Sequence, residues 1–149
     1  MLEQYPERIV DVPGNPRPEG ARIIWFEGVG GRRLRACLSP ATVEKPRGTC
    51  IVCPGRTEFI EKYFEVGREL QDRGFAVLII DWPGQGLSQR LLEDPQKGHI
   101  DRFETFMGAL RNGLDAMEEL PRPYVSLAHS MGGAIALAAI GQGLVRVEA

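Results

Sequence analysis

The six residues Ala128-His129-Ser130-Met131-Gly132-Gly133 stand between an apolar strand-like run, Tyr124-Val125-Ser126-Leu127, and a helix of small residues that continues to Ile140. A serine in that position sits on a strained strand-to-helix turn, and its neighbours must be small enough for helix and strand to approach closely. Such a turn holds the serine oxygen clear of the backbone at the end of a sheet. It also leaves the helix N-terminus and the next backbone N–H ready to meet a developing negative charge. The spacing is that of a nucleophile elbow, G-x-S-x-G with Ala128 in the first glycine position. The plainer alternative is that Ser130 only caps the helix that follows.

The chain has 149 residues, enough for one domain with a real core. A net charge of -2 and 26% charged residues give no reason to expect nucleic acid, so the expected partner is a small molecule. Residues 1–8 are polar, without the charged-then-apolar order of a secretory leader. The most apolar stretch, residues 124–140, contains Ser126, His129 and Ser130 and falls short of a membrane span. Three cysteines, Cys37, Cys50 and Cys53, are an odd number and suit a reducing compartment, which predicts a cytoplasmic protein. Cys50 and Cys53 have the spacing of a redox or metal pair, but they lie in an apolar strand whose geometry sends side chains three apart to opposite faces. They read as buried structural thiols. No metal and no cofactor is expected, since two histidines are too few and too scattered for a metal site.

Residues 1–20 carry Pro6, Pro13, Pro16 and Pro18 and read as an extended arm, with residues 21–149 as the domain proper. Residues 21–27 and 33–38 read as strands joined at Gly28-Val29-Gly30-Gly31, and residues 49–53 and 75–80 as strands buried on both faces. Residues 60–73 place Tyr63, Val66, Gly67 and Leu70 on one helical face and stop at Gly74. A further helix starts near Asp101, whose spacing to Glu104 resembles a capping box, and carries Phe103, Met107, Leu110, Leu114 and Met117. Gly141 and Gly143 break the last helix, and residues 144–147 begin what reads as another strand. Apolar strands alternating with amphipathic helices predict an α/β fold, a mostly parallel sheet covered on both faces.

Three segments, in order, resemble the α/β-hydrolase superfamily, and within it the lysophospholipase and monoacylglycerol lipase group of serine esterases. Cys53-Pro54-Gly55-Arg56-Thr57-Glu58 is similar to that group's loop after the third strand, and Asp81-Trp82-Pro83-Gly84-Gln85-Gly86-Leu87-Ser88 to its D-x-x-G-x-G-x-S loop after the fourth. The elbow is the third. Pro54 stands where the group commonly has histidine, and Pro83 where it often has arginine. The resemblance implies an α/β-hydrolase fold and hydrolysis of a carboxylic ester, with a monoacyl lipid as the substrate class. It further implies Ser130 as nucleophile and an oxyanion hole made by the backbone N–H groups of Met131 and Arg56. For Arg56 a solvated loop arginine is the competing reading.

In that superfamily the acid and the histidine of the triad follow the serine. After Ser130 the sequence holds only Glu148 as an acid, and no histidine. His129 is the usual residue of the motif and is expected to point to the other side of the turn, while His99 reads as a packing or capping residue. Loss of triad members costs on the order of a million-fold in rate, about 8 kcal/mol. The chain therefore reads as the N-terminal half of a hydrolase, truncated after the elbow helix and nearly inert by itself. Residues 124–127 are expected to lie at an exposed sheet edge open to self-association. A non-catalytic α/β module that keeps the elbow as architecture is the rival class. A nucleotide-binding doubly wound domain is disfavoured, because Gly84 and Gly86 follow the acidic Asp81 instead of preceding it.

Overall fold

The apolar runs form the strands of the computed structural model, which describes residues 8–117 and 119–149. β1 (Arg22–Glu27) and β2 (Arg33–Ser39) make an antiparallel hairpin closed by a 3-10 turn over Val29–Gly31. β3 (Gly48–Cys53) pairs in parallel with both β4 (Phe75–Ile80) and β5 (Tyr124–Ala128). The order across the sheet is β1-β2-β4-β3-β5, and β2 runs antiparallel to β4. Only β2 opposes the common strand direction.

Alternation along the strands divides the apolar side chains between two cores. Leu34, Ala36, Leu38, Ile51, Cys53, Leu78 and Ile80 face one core. Phe106, Met107, Leu110 and Leu114 of α2 (Phe103–Asp115) and Ile135 and Ala139 of α3 (Met131–Gly141) close it. Cys37, Cys50, Val52, Val77 and Ile79 face the other, closed by Ile60 and by Phe64 at the start of α1 (Phe64–Asp72). The architecture is thus α/β, with α1 on one face of the sheet and α2 and α3 on the other. Cys50 and Cys53 lie in opposite cores, as their spacing predicts. All three cysteines are free and buried, and burial pushes the Cys50 thiol up to about 11 and those of Cys37 and Cys53 to about 12.

Several local expectations are corrected. The helical segment after β3 opens as a 3-10 turn over Ile60–Tyr63, and the buried face of α1 is Phe64, Gly67 and Gln71, with Tyr63, Val66 and Leu70 only partly covered. The cause is the arm. Pro18 lies over Gly67, and the Gln71 amide is buried by bonds to Glu19 and to the Pro40 carbonyl, donating to both carbonyls and accepting the Glu19 N–H. The arm is held further by the Val10 N–H, which donates to Glu61 Oε1, and by Asn15 Nδ2, which donates to the Glu61 carbonyl. The predicted arm includes residues 1–7, which lie outside the described residues. No capping box forms at α2: Arg102 is its N-cap without a side-chain cap, and Asp101 Oδ1 accepts from the Arg102 N–H and the Thr105 hydroxyl. Phe103 is exposed on this helix. Residues 144–147 form no strand, although Glu148 N–H donates to the Tyr124 carbonyl and Ser126 N–H donates to the Ala149 carbonyl. The edge at residues 124–126 is therefore partly covered by the last two residues, while Leu127 stays exposed.

Candidate active site

β5 ends at Ala128, directly across from Cys53 at the end of β3, and the next residue bonds to the same neighbour as His129 N–H donates to the Cys53 carbonyl at 3.1 Å. The chain then reverses at Ser130, whose φ of 52° and ψ of -120° are rare for a residue with a side chain. Conformations of that kind cost on the order of 1–3 kcal/mol and persist where the surroundings over-determine them. Two features impose it. α3 begins at Met131, and Gly132 lies so near the end of β3 that a Cβ there would run into the Cys53 and Pro54 carbonyl oxygens. Ser130 occupies the N-cap position of α3 but makes no side-chain capping bond, so the capping reading lacks the interaction it needs. Its side chain is exposed, and among the described residues its hydroxyl has no hydrogen-bond partner.

The loop after β3 lies against this turn. Pro54 carbonyl accepts from Trp82 Nε1 at 2.7 Å, and Trp82 is fully buried with its ring edge-on to Phe106. Gln85 braces the next residues, donating to the Gly55 carbonyl at 3.0 Å and accepting the Thr57 N–H at 3.0 Å. Gly55 N–H goes to Glu58 Oε2, and Glu58 N–H reaches back to the Gly55 carbonyl. Between Gly55 and Glu58, Arg56 alone keeps its backbone N–H without an acceptor among the described residues. Met131 N–H, at the first turn of α3, is likewise unpaired. The ends of two adjacent strands thus present an exposed hydroxyl and two free backbone donors, an arrangement able to receive an anion.

Gln85 belongs to the loop after β4, which a buried ion network fixes. Arg35 Nε donates to Asp81 Oδ2 at 2.7 Å, and its Nη1 and Nη2 donate to Glu61 Oε1 and Oε2 at 2.8 and 2.9 Å. All three side chains are buried. Burial works against the Arg35 charge, and the two carboxylates more than offset it, so its pKa is raised. Burial pushes the Asp81 carboxyl up to about 6, against the pull of Arg35 and of the Leu87 and Ile60 N–H groups it accepts. Ser88 closes the loop, its hydroxyl donating to the Asp81 carbonyl and accepting the Arg35 N–H.

Sequence reasoning missed Glu58, Arg35 and Glu61. Glu58 is buried and accepts from Lys62 Nζ, the Tyr63 hydroxyl and Gly55 N–H, each at 2.5 Å, and it lies 3.2 Å from His129 Nδ1. Burial tends to raise its carboxyl, but the bonds from Lys62, Tyr63, Gly55 and His129 prevail and hold it down at about 2. The four-residue spacing of Glu58 to Lys62 was the available signal. His129 turns toward Glu58 and makes no bond to Ser130. His99 is exposed, neither packing nor capping, because α2 begins four residues later. Glu148 bonds to the Tyr124 N–H and to Arg122, at the opposite end of β5 from Ser130. Among the described residues no group of three or more His, Cys, Asp or Glu side chains could hold a metal ion. A cavity of about 430 Å³ opens beside the Arg56 loop, between the arm and the loop after β4, and Ser130 is not in its wall.

The family profile described as serine aminopeptidase, S33 matches residues 44–146. Lysophospholipase L2 of Escherichia coli K12 is 48% identical over 88 residues, 57% of this chain and 26% of that protein. A monoacylglycerol lipase of Mycolicibacterium smegmatis is 30% identical over 116 residues, 76% of this chain and 39% of that protein. The matches thus span well under half the length of these curated relatives. In fold, the crystal structure of an alpha/beta hydrolase from Novosphingobium aromaticivorans superposes with a TM-score of 0.69 at 18% identity, over 90% of this chain and 44% of that one.

Proposed function

The chain belongs to the serine aminopeptidase S33 family, on an α/β-hydrolase fold, and from that premise we propose that it supplies the nucleophile and the oxyanion donors for hydrolysis of a carboxylic ester of a monoacyl lipid. The substrate class is supported by the lysophospholipase and monoacylglycerol lipase names of its relatives. The observation that carries the reading is the exposed Ser130 hydroxyl on its positive-φ turn, followed by the unpaired N–H of Met131 and with the unpaired N–H of Arg56 in the loop after the neighbouring strand β3.

In this mechanism Ser130 Oγ attacks the acyl carbon of the ester while a general base takes the hydroxyl proton. The carbonyl oxygen becomes an oxyanion held by the Arg56 and Met131 N–H groups and by the N-terminal dipole of α3. The tetrahedral intermediate collapses to an acyl-serine, the alcohol leaves with a proton, and water completes the turnover. Among the described residues no side chain bonds to Ser130 to act as that base, so residues 1–149 alone are expected to hydrolyse ester slowly. Three free, buried cysteines favour a cytoplasmic setting for the reaction, and no described helix is long and apolar enough to cross a membrane.

Expression of the complete reading frame should give turnover of a short-chain nitrophenyl ester and labelling of Ser130 by a fluorophosphonate. Ser130→Ala should abolish both and leave the circular dichroism unchanged. An active Ser130→Ala protein overturns the assignment. An intact frame without activity or label favours the non-catalytic module instead.

A further inference from the structure

The two halves of the proposed site come from distant parts of the chain, and a single carboxylate oxygen spans them. Glu58 Oε2 accepts the Gly55 N–H at 2.5 Å and the Tyr63 hydroxyl at 2.5 Å, and lies 3.2 Å from Nδ1 of His129, the residue that precedes Ser130. Its other oxygen, Oε1, takes Lys62. There is no slack at this junction: a Cβ on Gly55 would stand 2.9 Å from both Glu58 Oε2 and His129 Nδ1. Gly55 immediately precedes Arg56, and the bond from Gly55 N–H together with the Gln85 braces leaves the Arg56 N–H as the unpaired donor of the loop.

We propose that Glu58 is a positioning residue of the site, its Oε2 clamping the Pro54–Gly55 peptide, one unit before the Arg56 N–H, to the elbow at His129 so that the Arg56 N–H is held in register with Ser130. The proposal rests on the reading of Ser130 as nucleophile. Glu58 touches no reacting atom; it acts through Gly55 and His129. Its carboxyl is held at about 2 and stays ionised throughout the working range, which fits a fixed acceptor and not a proton carrier. A fixed acceptor matters here because an oxyanion donor is effective only when preorganised, and one such donor is worth about 10²–10³ in rate.

Two measurements test this. In residues 1–149, hydrogen exchange by NMR should find the Gly55 amide protected, and Glu58→Gln should release it while the amides of β3 and β4 keep their protection. Glu58→Gln leaves Gly55, Tyr63 and His129 a neutral and weaker acceptor in place of the carboxylate oxygen. In the protein from the complete reading frame, at a temperature where every variant is folded, Glu58→Gln should lower kcat by about 10²-fold with KM within about threefold. Lys62→Met removes the partner of Oε1 only and should leave kcat within about twofold despite lower stability. That contrast separates clamping from mere stabilisation. A Gly55 amide that exchanges equally in both chains, or a Glu58→Gln enzyme with wild-type kcat, overturns the proposal while the nucleophile reading stands. A wild-type enzyme that neither turns over ester nor takes the fluorophosphonate label removes the nucleophile reading, and the proposal with it.

Discussion

Glu58 is a buried charge whose cost is offset by partners that exist only in the fold. Its carboxyl sits at about 2 against an ordinary 4.5, so the folded state binds its proton less readily than the unfolded chain does. The stabilisation is full above about pH 4.5 and drains away as pH falls toward 2. Glu58→Gln should cost on the order of 3 kcal/mol at neutral pH. Urea melts between pH 7 and 2 should therefore converge for wild type and variant at the acid end; parallel curves contradict it. Ser130 could be singled out as a candidate from the local pattern of small residues at the elbow, and Met131 and Arg56 only because the elbow and the loop after β3 resemble those of a known family. Arg35 could not, and Glu58 only through its four-residue spacing to Lys62. His129, 71 residues from Glu58, and Asp81, 46 from Arg35, are brought to them by strand pairing, which no short-range spacing encodes.

Apart from residues 144–147, which form no strand, the strands were legible to within a residue or two, and the helices less so. Strand limits follow runs of apolar residues, whereas helix starts depend on caps that compete with other bonds. Asp101 spends its carboxylate on Arg102 and Thr105, so α2 starts later than the Asp101-to-Glu104 spacing suggests. The arm turned the buried face of α1 toward Gln71 for a similar reason, since its Glu19 carbonyl and the Pro40 carbonyl just after β2 needed a donor. Between elements, the Arg35 network joins β2 to the turn at Ile60–Tyr63 and to the end of β4. Arg35→Met would strand two buried carboxylates and should cost about 3–5 kcal/mol in denaturant unfolding. A loss below about 1 kcal/mol would mean that water or neighbouring groups replace the guanidinium readily.

Across the whole molecule, the β1–β2 hairpin is antiparallel to the rest at β2, which gives a mixed sheet. A hairpin is written in its turn, but the edge against which it docks is not. At the far side, α3 is apolar all round and leaves Leu137 73% and Ile140 37% exposed, with Leu127 at 43% on the strand before it. We expect residues 1–149 to self-associate through this surface, and Leu137→Glu to shift the chain toward monomer in sedimentation velocity. A wild-type chain that is monomeric at high concentration counts against this. The register of Cys53 with Ala128 has a kinetic consequence. Ser130 can be forced onto its turn only once β5 has docked on β3, a contact between residues 75 apart that must close a loop of about half the chain before it returns any energy. The hairpin and the β3–β4 unit close far shorter loops and can form earlier. The elbow is then among the last features to appear during folding, and refolded molecules should regain their hydrophobic cores before they regain a reactive serine.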